Sequence, residues 1–371
     1  MTIALLGELI HCFAIRMRIV WHNIRVGKRV LDDGDGKKPS VSVIVYAKND
    51  DDNMESFLPL VLEQEYEDFE IIVVDDASWD NTNDVIKKFQ ETYPFLRTTH
   101  VPEGTQVVSH KKLALTLGAK AAQKDILIFT DADCRPFSRH WIEDIARSFR
   151  HQTEFVIGYT SSFDDKKCLN HWMAFDTLME NTEALGWALA YKPVTGFGSN
   201  IAYRKDTFFR YKGFAGFLHR EAGEDELMIN AYGNSVNTVV QSGKMAHVVA
   251  VRKFNYREWK YTKMKQYIAE RDFKADTKIL LMAEPVCKWL FLLSAIAVIV
   301  LSAVFMPERW IEMIEIAGGA ILLRLAVITV AVNMVARQYR QPTFWIGMIF
   351  FDLIHPFVKL SWKVTSLIKK L

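Results

Sequence analysis

Two patterns of apolar spacing divide the chain. As far as about residue 280, apolar positions come in short runs of strand length or at helical spacing, and beyond that they come in membrane-length blocks. Val41 to Ala47 reads as a strand ending in Lys48-Asn49-Asp50, and Glu55 to Glu65 carries helix-spaced apolar residues. Ile71 to Val74 is a second strand, ending in Asp75-Asp76. The polar turn from Ser78 to Thr82 supplies N-cap residues for a helix over roughly Asn83 to Thr92. A short strand near Thr98 to Val101, a helix from about Lys111 to Gln123 and a strand from Ile126 to Asp131 follow. The uninterrupted Ile126-Leu-Ile-Phe129 fits a strand buried on both faces. Strand and helix alternate, which predicts an α/β fold with a doubly wound, mostly parallel sheet and right-handed crossovers.

The later blocks predict membrane helices. Val286 to Met306 is apolar apart from Lys288 and long enough to span, with Trp289 near one interface. Ile314 to Ala336 is a second span whose Arg324 must face another helix, water or a lipid phosphate. Phe344 to Val358 is short and holds Asp352, His355 and Pro356, which fits a re-entrant or interfacial segment better than a third span. Arg337 and Arg340 after the second span, and Lys359, Lys363, Lys369 and Lys370 at the C-terminus, place both on the cytoplasmic side. The N-terminal Met1 to Val20 is apolar but interrupted by Glu8, His11, Arg16 and Arg18, and reads as an interfacial amphipathic helix. Three regions result: an N-terminal helix and charged linker (1–38), an α/β domain (39–282) and a membrane domain (283–371).

Composition narrows the function classes. The net charge of +2, with no basic run interleaved with aromatics, gives no footprint for nucleic acid. Cys12, Cys134, Cys168 and Cys287 are scattered, so neither a disulfide framework nor a cysteine zinc site is indicated, and a reducing cytosolic setting fits. No Gly-x-Gly-x-x-Gly and no Walker-type phosphate loop is present.

The chemistry lies at the strand ends. In an open α/β sheet the ligand crevice lies outside the carboxyl ends of the strands, and here those ends carry Asp50, Asp75 with Asp76, and Asp131 with Asp133. Carboxylates at i and i+2 with a small residue between can share one hard divalent cation, and that cation can hold a diphosphate. So many acids in one crevice repel one another, and a bound cation is the simplest relief. Lys111 and Lys112 are further candidates for meeting phosphate.

Four segments in order, Val41 to Asp50, Val74 to Thr82, Lys111 to Leu115 and Thr130 to Pro136, resemble the nucleotide-binding half of the family-two glycosyltransferases with the GT-A fold, in particular membrane-anchored bacterial members. Gly196-Phe-Gly198-Ser-Asn200 resembles the family's glycine-rich acceptor-side segment, and Gly223-Glu224-Asp225-Glu226-Leu227 its acidic catalytic motif. The resemblance implies that Ala47, Asp50 and one of Asp75 or Asp76 line the base and ribose pocket, with Lys111 near the donor. It implies that Asp131 sits between ribose and metal, and that Asp133 binds Mg²⁺ or Mn²⁺. It also implies that an acid of the Glu224–Glu226 run is the general base: Asp225 on the Glu-Asp match, Glu224 on the acid-Leu match. His247 is open to two readings, a further metal ligand or a hydrogen-bonded structural residue. The Gln-x-x-Arg-Trp segment of processive members is reduced here to Arg271 in Ile268 to Asp272, which favours single transfer and leaves Arg271 as a donor-phosphate contact or as part of a basic face toward anionic lipid.

The expected activity is therefore metal-dependent, inverting transfer of a sugar from a nucleoside diphosphate to a membrane-associated acceptor, such as a polyprenyl-linked sugar in cell-envelope glycan or glycolipid synthesis. The expected place is the inner membrane, with the catalytic domain in the cytoplasm. A different class, a catalytically silent nucleotide-sugar-binding or scaffold protein, is disfavoured by intact acids at every motif. A sugar nucleotidyltransferase is disfavoured because Val41 to Asp50 has no glycine.

Overall fold

The computed structural model describes residues 1–26, 38–162, 167–251 and 255–368, without the side chains of residues 24–26 and 225. The expected linker therefore lies, up to residue 37, outside the described residues, as do Lys369 and Lys370 and the side chain of Asp225.

Helix α1 (Thr2–His11) passes through a π-turn at Cys12–Arg16 into α2 (Arg18–Val26). The α/β body then runs β1 (Val41–Ala47), α3 (Asp51–Leu62), β2 (Phe69–Asp75), α4 (Thr82–Thr92), β3 (Leu96–His100), α5 (His110–Ala121) and β4 (Ile126–Asp131). It continues through β5 (Cys134–Pro136), α6 (Trp141–Ala146), β6 (Phe155–Gly158), β7 (Thr160–Ser162), α7 (Cys168–Ala190), β8 (Ile201–Arg204) and α8 (Lys205–Arg210). Helix α9 (Glu224–Tyr232), β9 (Thr238–Gln241), β10 (Val248–Ala250) and α10 (Tyr256–Ala269) complete it. Three long helices follow, α11 (Ala275–Phe305), α12 (Trp310–Gln338) and α13 (Gly347–Ile368).

Seven strands form the main sheet in the order β3-β2-β1-β4-β8-β6-β9, and β5-β10-β7 make a small second sheet. β1, β2, β3 and β4 run parallel, and β8 enters antiparallel to β4 and β6. Ile126, Leu127, Ile128 and Phe129 are all fully buried, as their unbroken apolar run predicts. Burial at about 1.5–3 kcal/mol for each such side chain makes β4 the strand around which the sheet is built. Register does the functional work: Tyr46 lies opposite Asp131 and Ala47 opposite Asp75, so the carboxyl ends of β1, β2 and β4 finish level.

Helices α11 and α12 are long and apolar enough to cross a membrane. The third apolar block lies in α13, which extends beyond the expected segment and packs on α10 and α7 of the α/β body. Arg324 does face other helices: its guanidinium pairs with Asp352 of α13 at 2.5 Å and with Glu8 of α1, and Lys288 meets Asp352 at 2.6 Å. The N-terminal helix is thus tied to the long C-terminal helices by its one acid, with α1 packed along α11. Its π-turn docks on α7, where Arg16 donates to the Met179 carbonyl and Thr182 Oγ1, both at 2.7 Å, and pairs with Glu284. Gly186 makes that approach possible, because a Cβ there would stand 2.4 Å from the Ile15 carbonyl oxygen.

Candidate active site

Backbone hydrogen bonds set the acids at the sheet edge. Asp76 N–H donates to the Ala47 carbonyl at 2.9 Å, Ala132 N–H to the Tyr46 carbonyl at 2.8 Å, and Val251 N–H to the Asp133 carbonyl at 2.9 Å. The β1–α3, β2–α4 and β4–β5 turns are thereby cross-braced around one cleft of about 690 Å³. Asp50, Asp76, Lys111, Asp131, Asp133, Glu224 and Glu226 all line it.

Each expected residue has a definite place. Asp76 is fully buried and accepts from Tyr46 Oη at 2.8 Å, Lys48 Nζ at 2.9 Å and His110 Nδ1 at 3.1 Å, whereas Asp75 turns away to Ser78 N–H and Asn83 Nδ2. The choice left open between the two acids resolves as Asp76 on the cleft. Ala47 is fully buried and is not on the cleft wall, so its expected place lining the base pocket is corrected. Asp50 accepts from Asn53 Nδ2 at 2.6 Å, and its N–H donates to Thr82 Oγ1 at 3.0 Å.

Lys111 and Lys112, adjacent in sequence, diverge. Lys111 sits in the first turn of α5, and its Nζ lies 2.6 Å from Asp131 Oδ1 and 3.7 Å from Glu224 Oε1. Lys112 is fully buried and donates to the carbonyls of Arg220 at 2.6 Å and Ala222 at 2.7 Å. It clamps the loop leading to the acidic turn and is not a phosphate contact. That loop ends at Gly223, whose φ of +84° lies in the left-handed region that glycine tolerates. Helix α9 then opens with Glu224 facing the cleft.

Asp131, Asp133 and Cys134 bring one ligand atom each to within 4.8 Å of one another. Burial, and then Asp133, push the Cys134 thiol well above its ordinary range, so it stays protonated. The two carboxylates remain as hard oxygen ligands of the type Mg²⁺ and Mn²⁺ prefer. The donor set fits such an ion.

His247 does not join them. It is 1% exposed, stacked on Phe137 with ring centroids 4.3 Å apart, and its Nδ1 bonds the Lys244 carbonyl at 2.6 Å. Burial drives its pKa down to about 4, so the ring is neutral; its Nε2 has no partner among the described residues, but it is not gathered with Asp131 and Asp133, and the expectation that it joins them as a metal ligand is corrected on that ground. Asn200 is corrected likewise. It is fully buried, accepts from Trp141 Nε1 at 3.1 Å and donates to the carbonyls of Tyr159 and Ala246 at 2.9 Å, so its amide braces the sheet and is not offered to an acceptor. Of the glycine-rich segment, Gly198 with its neighbours Phe197 and Ser199 lines the cleft, and Gly196 is buried away from it. Arg271 lies in the turn after α10 and is not on the cleft wall.

The structure adds residues the sequence reading passed over. Tyr46, Lys48 and His110 surround Asp76, and Glu180 of α7 and Lys263 of α10 close the far wall. Lys263 is buried between Asp176 at 2.6 Å and Glu180, whose charges keep it protonated against the pull of burial. Tyr46 and Lys48 lie within the Val41 to Asp50 segment and His110 adjoins Lys111, so these three carried a local signal, whereas Glu180 and Lys263 carried none. Glu226 is held up to about 7, first by burial and then by the charge of Glu224.

Residues 42–218 match the family model described as glycosyl transferase family 2. The chain carries a family-two glycosyltransferase domain of the GT-A fold. Glycosyltransferase AglE of Haloferax volcanii is 33% identical over 107 residues, 28% of this chain and 34% of that protein. The putative teichuronic acid biosynthesis glycosyltransferase TuaG of Bacillus subtilis is 28% identical over 126 residues, 34% of this chain and 45% of that protein. The chain thus spans less than half the length of either curated relative. The mannosyltransferase PcManGT from Pyrobaculum calidifontis, solved in complex with GDP-Man and Mn²⁺, matches with a TM-score of 0.51 at 22% identity, over 87% of this chain and 98% of that one. At that identity the likeness concerns the fold. The matched stretch of the glycosyltransferase domain holds the sheet edge with Asp50, Asp76, Lys111, Asp131 and Asp133, and ends before the acidic turn at Glu224.

Proposed function

We propose that this chain is a membrane-anchored, metal-dependent, inverting glycosyltransferase that takes a sugar from a nucleoside diphosphate donor to a membrane-associated acceptor. The observation that carries the reading is the convergence of Asp76, Asp131, Asp133, Lys111 and the Glu224 turn on one cleft.

Asp50 and Asp76 offer acceptor oxygens for the base and ribose hydroxyls. Asp131 and Asp133 would hold Mg²⁺ or Mn²⁺, which when bound offsets the charge growing on the departing diphosphate. Lys111, on the first turn of α5, adds a cation, and the helix N-terminus adds its dipole. An acid of the Glu224–Asp225–Glu226 run takes the proton of the acceptor hydroxyl as that oxygen bonds the anomeric carbon. The bond from that carbon to the diphosphate breaks with its electron pair going to the phosphate oxygen. One displacement inverts the anomeric centre and needs one base, for which Asp225 is the first choice and Glu224 the second. Spans α11 and α12 favour an acceptor at the membrane surface, and the basic residues after α12 favour a cytoplasmic catalytic domain at the inner membrane.

A thermal-shift screen of UDP-, GDP- and dTDP-sugars with Mn²⁺ identifies the donor, because a bound ligand raises stability by mass action. Release of the nucleoside diphosphate is then followed in wild type and Asp133→Ala. Turnover should fall by roughly 100-fold or more in the variant, with its fold intact. Donor binding without turnover under any acceptor would instead favour a silent binding protein.

A further inference from the structure

A second cavity of about 270 Å³ opens off the cleft toward the membrane helices. The two share Glu180, Phe197, Glu226 and Gln266, so an occupant of the second reaches the acidic turn at the end of the first. Its outer wall is Leu281, Met282, Pro285 and Trp289 of α11 with Leu360 of α13. That wall runs without a break into the exposed apolar face of α11 at Leu290, Leu293 and Ile296, within a candidate span. Apolar wall and membrane surface are therefore continuous, as an amphiphile with one end in the bilayer requires.

The polar end of the cavity has a specific charge state. Of its three lysines, Lys288 is bonded to Asp352 at 2.6 Å and Lys363 faces Glu270 at 3.7 Å. Lys359 is half-buried and makes no direct hydrogen bond or ion pair among the described residues, while the charges of Glu180, Asp176, Glu183 and Glu284 keep it protonated against the pull of burial. Among the acids, Glu284 is engaged by Arg16, Glu180 by Lys263 and Glu270 by Lys363, and burial raises Glu226 to about 7. Glu183 is 6% exposed, and its Oε1 has no hydrogen-bond partner. Burial, and then the charge of Glu284, push its carboxyl up to about 8, so at neutral pH it carries a proton that it can donate. A protonated lysine with no direct hydrogen bond beside a protonated acid offers donors to an anion, and a phosphate oxygen suits both groups.

We propose that this second cavity seats the phosphate head group of a lipid-linked acceptor, with Lys359 as its cation, Glu183 as a hydrogen-bond donor and the lipid chain leaving along α11. The inference deepens the proposed function and rests on it for the word acceptor, while the binding itself stands on the cavity. The acceptor hydroxyl then lies toward Glu226 and Gln266, where the cavities meet.

The test uses the full chain in phosphatidylcholine nanodiscs with farnesyl phosphate, farnesol and inorganic phosphate as probes. Farnesyl phosphate should bind saturably and farnesol about tenfold more weakly, since one charge-assisted contact is lost. Lys359→Gln should weaken farnesyl phosphate by about tenfold, and Lys359→Arg should restore most of it. The Mn²⁺-dependent thermal shift given by the nucleotide sugar serves as the control and should be unchanged in both variants. Equal binding of farnesol, an unaltered affinity in Lys359→Gln, or full competition by inorganic phosphate at the same concentration would each overturn the inference. Absence of farnesyl phosphate binding in the wild type with the nucleotide-sugar shift intact counts against this cavity alone. Absence of that shift in the wild type counts against the transferase reading.

Discussion

The ammonium of Lys111 lies 2.6 Å from Asp131 Oδ1, and each side chain is about a quarter exposed to the cleft. A donor diphosphate and a divalent cation would divide this pair between them, the phosphate taking the lysine and the metal the carboxylate. Lys111→Gln should therefore weaken nucleotide-sugar binding by about tenfold or more, measured by calorimetry with Mn²⁺ present. Affinity for Mn²⁺ alone should not fall, because the substitution removes a competing cation from Asp131. Unchanged donor affinity would remove Lys111 from the site.

The acidic turn separates three roles by substitution. Asp225→Asn should lower kcat by about 10²–10⁴-fold with donor affinity kept. Glu224→Gln should act mainly through Lys111, which its carboxylate faces at 3.7 Å, and so raise the donor KM. Glu226 titrates near 7, so ionising it alters the charge at the junction of the two cavities across neutral pH. In Glu226→Gln the pH profile should lose a limb near 7 with the maximal rate largely retained. If Glu226→Gln, and not Asp225→Asn, abolishes turnover, the base is Glu226.

Burial of Glu183 predicts a stability trend with pH. Its carboxyl titrates at about 8 in the folded protein against an ordinary value of 4.5, with Glu284 and Glu270 raising it and Lys359 and Arg16 opposing them. Between those two values the folded state binds more protons than the unfolded one, so stability falls as pH rises through that window and levels off above it. Glu183→Gln keeps the neutral form at every pH. It should flatten the decline in Tm and melt higher than wild type at pH 9, as followed by differential scanning fluorimetry in detergent.

Arg324 joins α1, α12 and α13 through Glu8 and Asp352. Arg324→Met would leave the Glu8 carboxylate buried without its cation, whereas Asp352 would keep Lys288. Breaking a buried pair from one side costs about 3–5 kcal/mol, so the variant should melt markedly lower. Adding Glu8→Gln should recover part of the loss. No recovery in the double variant would mean that Glu8 is not the group stranded.

Local pattern carried much of this protein by itself. Runs of β-branched and apolar residues, interrupted in β1 by Ser42, made β1, β2 and β4 legible because their length suits a strand buried on both faces. The acids following them were legible because a doubly wound sheet must gather its strand ends on one edge. The long apolar helices α11 and α12 were legible because length and apolarity are local properties.

What local pattern could not supply was direction and distant partnership. Lys111 and Lys112 are chemically alike in the sequence, and the helical turn of α5 sends one to the cleft and the other to the carbonyls before Gly223. Asn200 and His247 lie in or near motifs, yet tertiary packing saturates the amide of the first and buries the ring of the second. Glu8 finds Arg324 across 316 positions, and the second cavity exists only where α7, α10, α11 and α13 meet. The sequence alone determined the strands, the acids at their ends and the two long apolar helices, because each follows from residues near one another along the chain. Only the tertiary structure decided which of those polar groups face open space and which are consumed by neighbours, because desolvation and hydrogen-bond satisfaction are settled by the whole set of surrounding atoms.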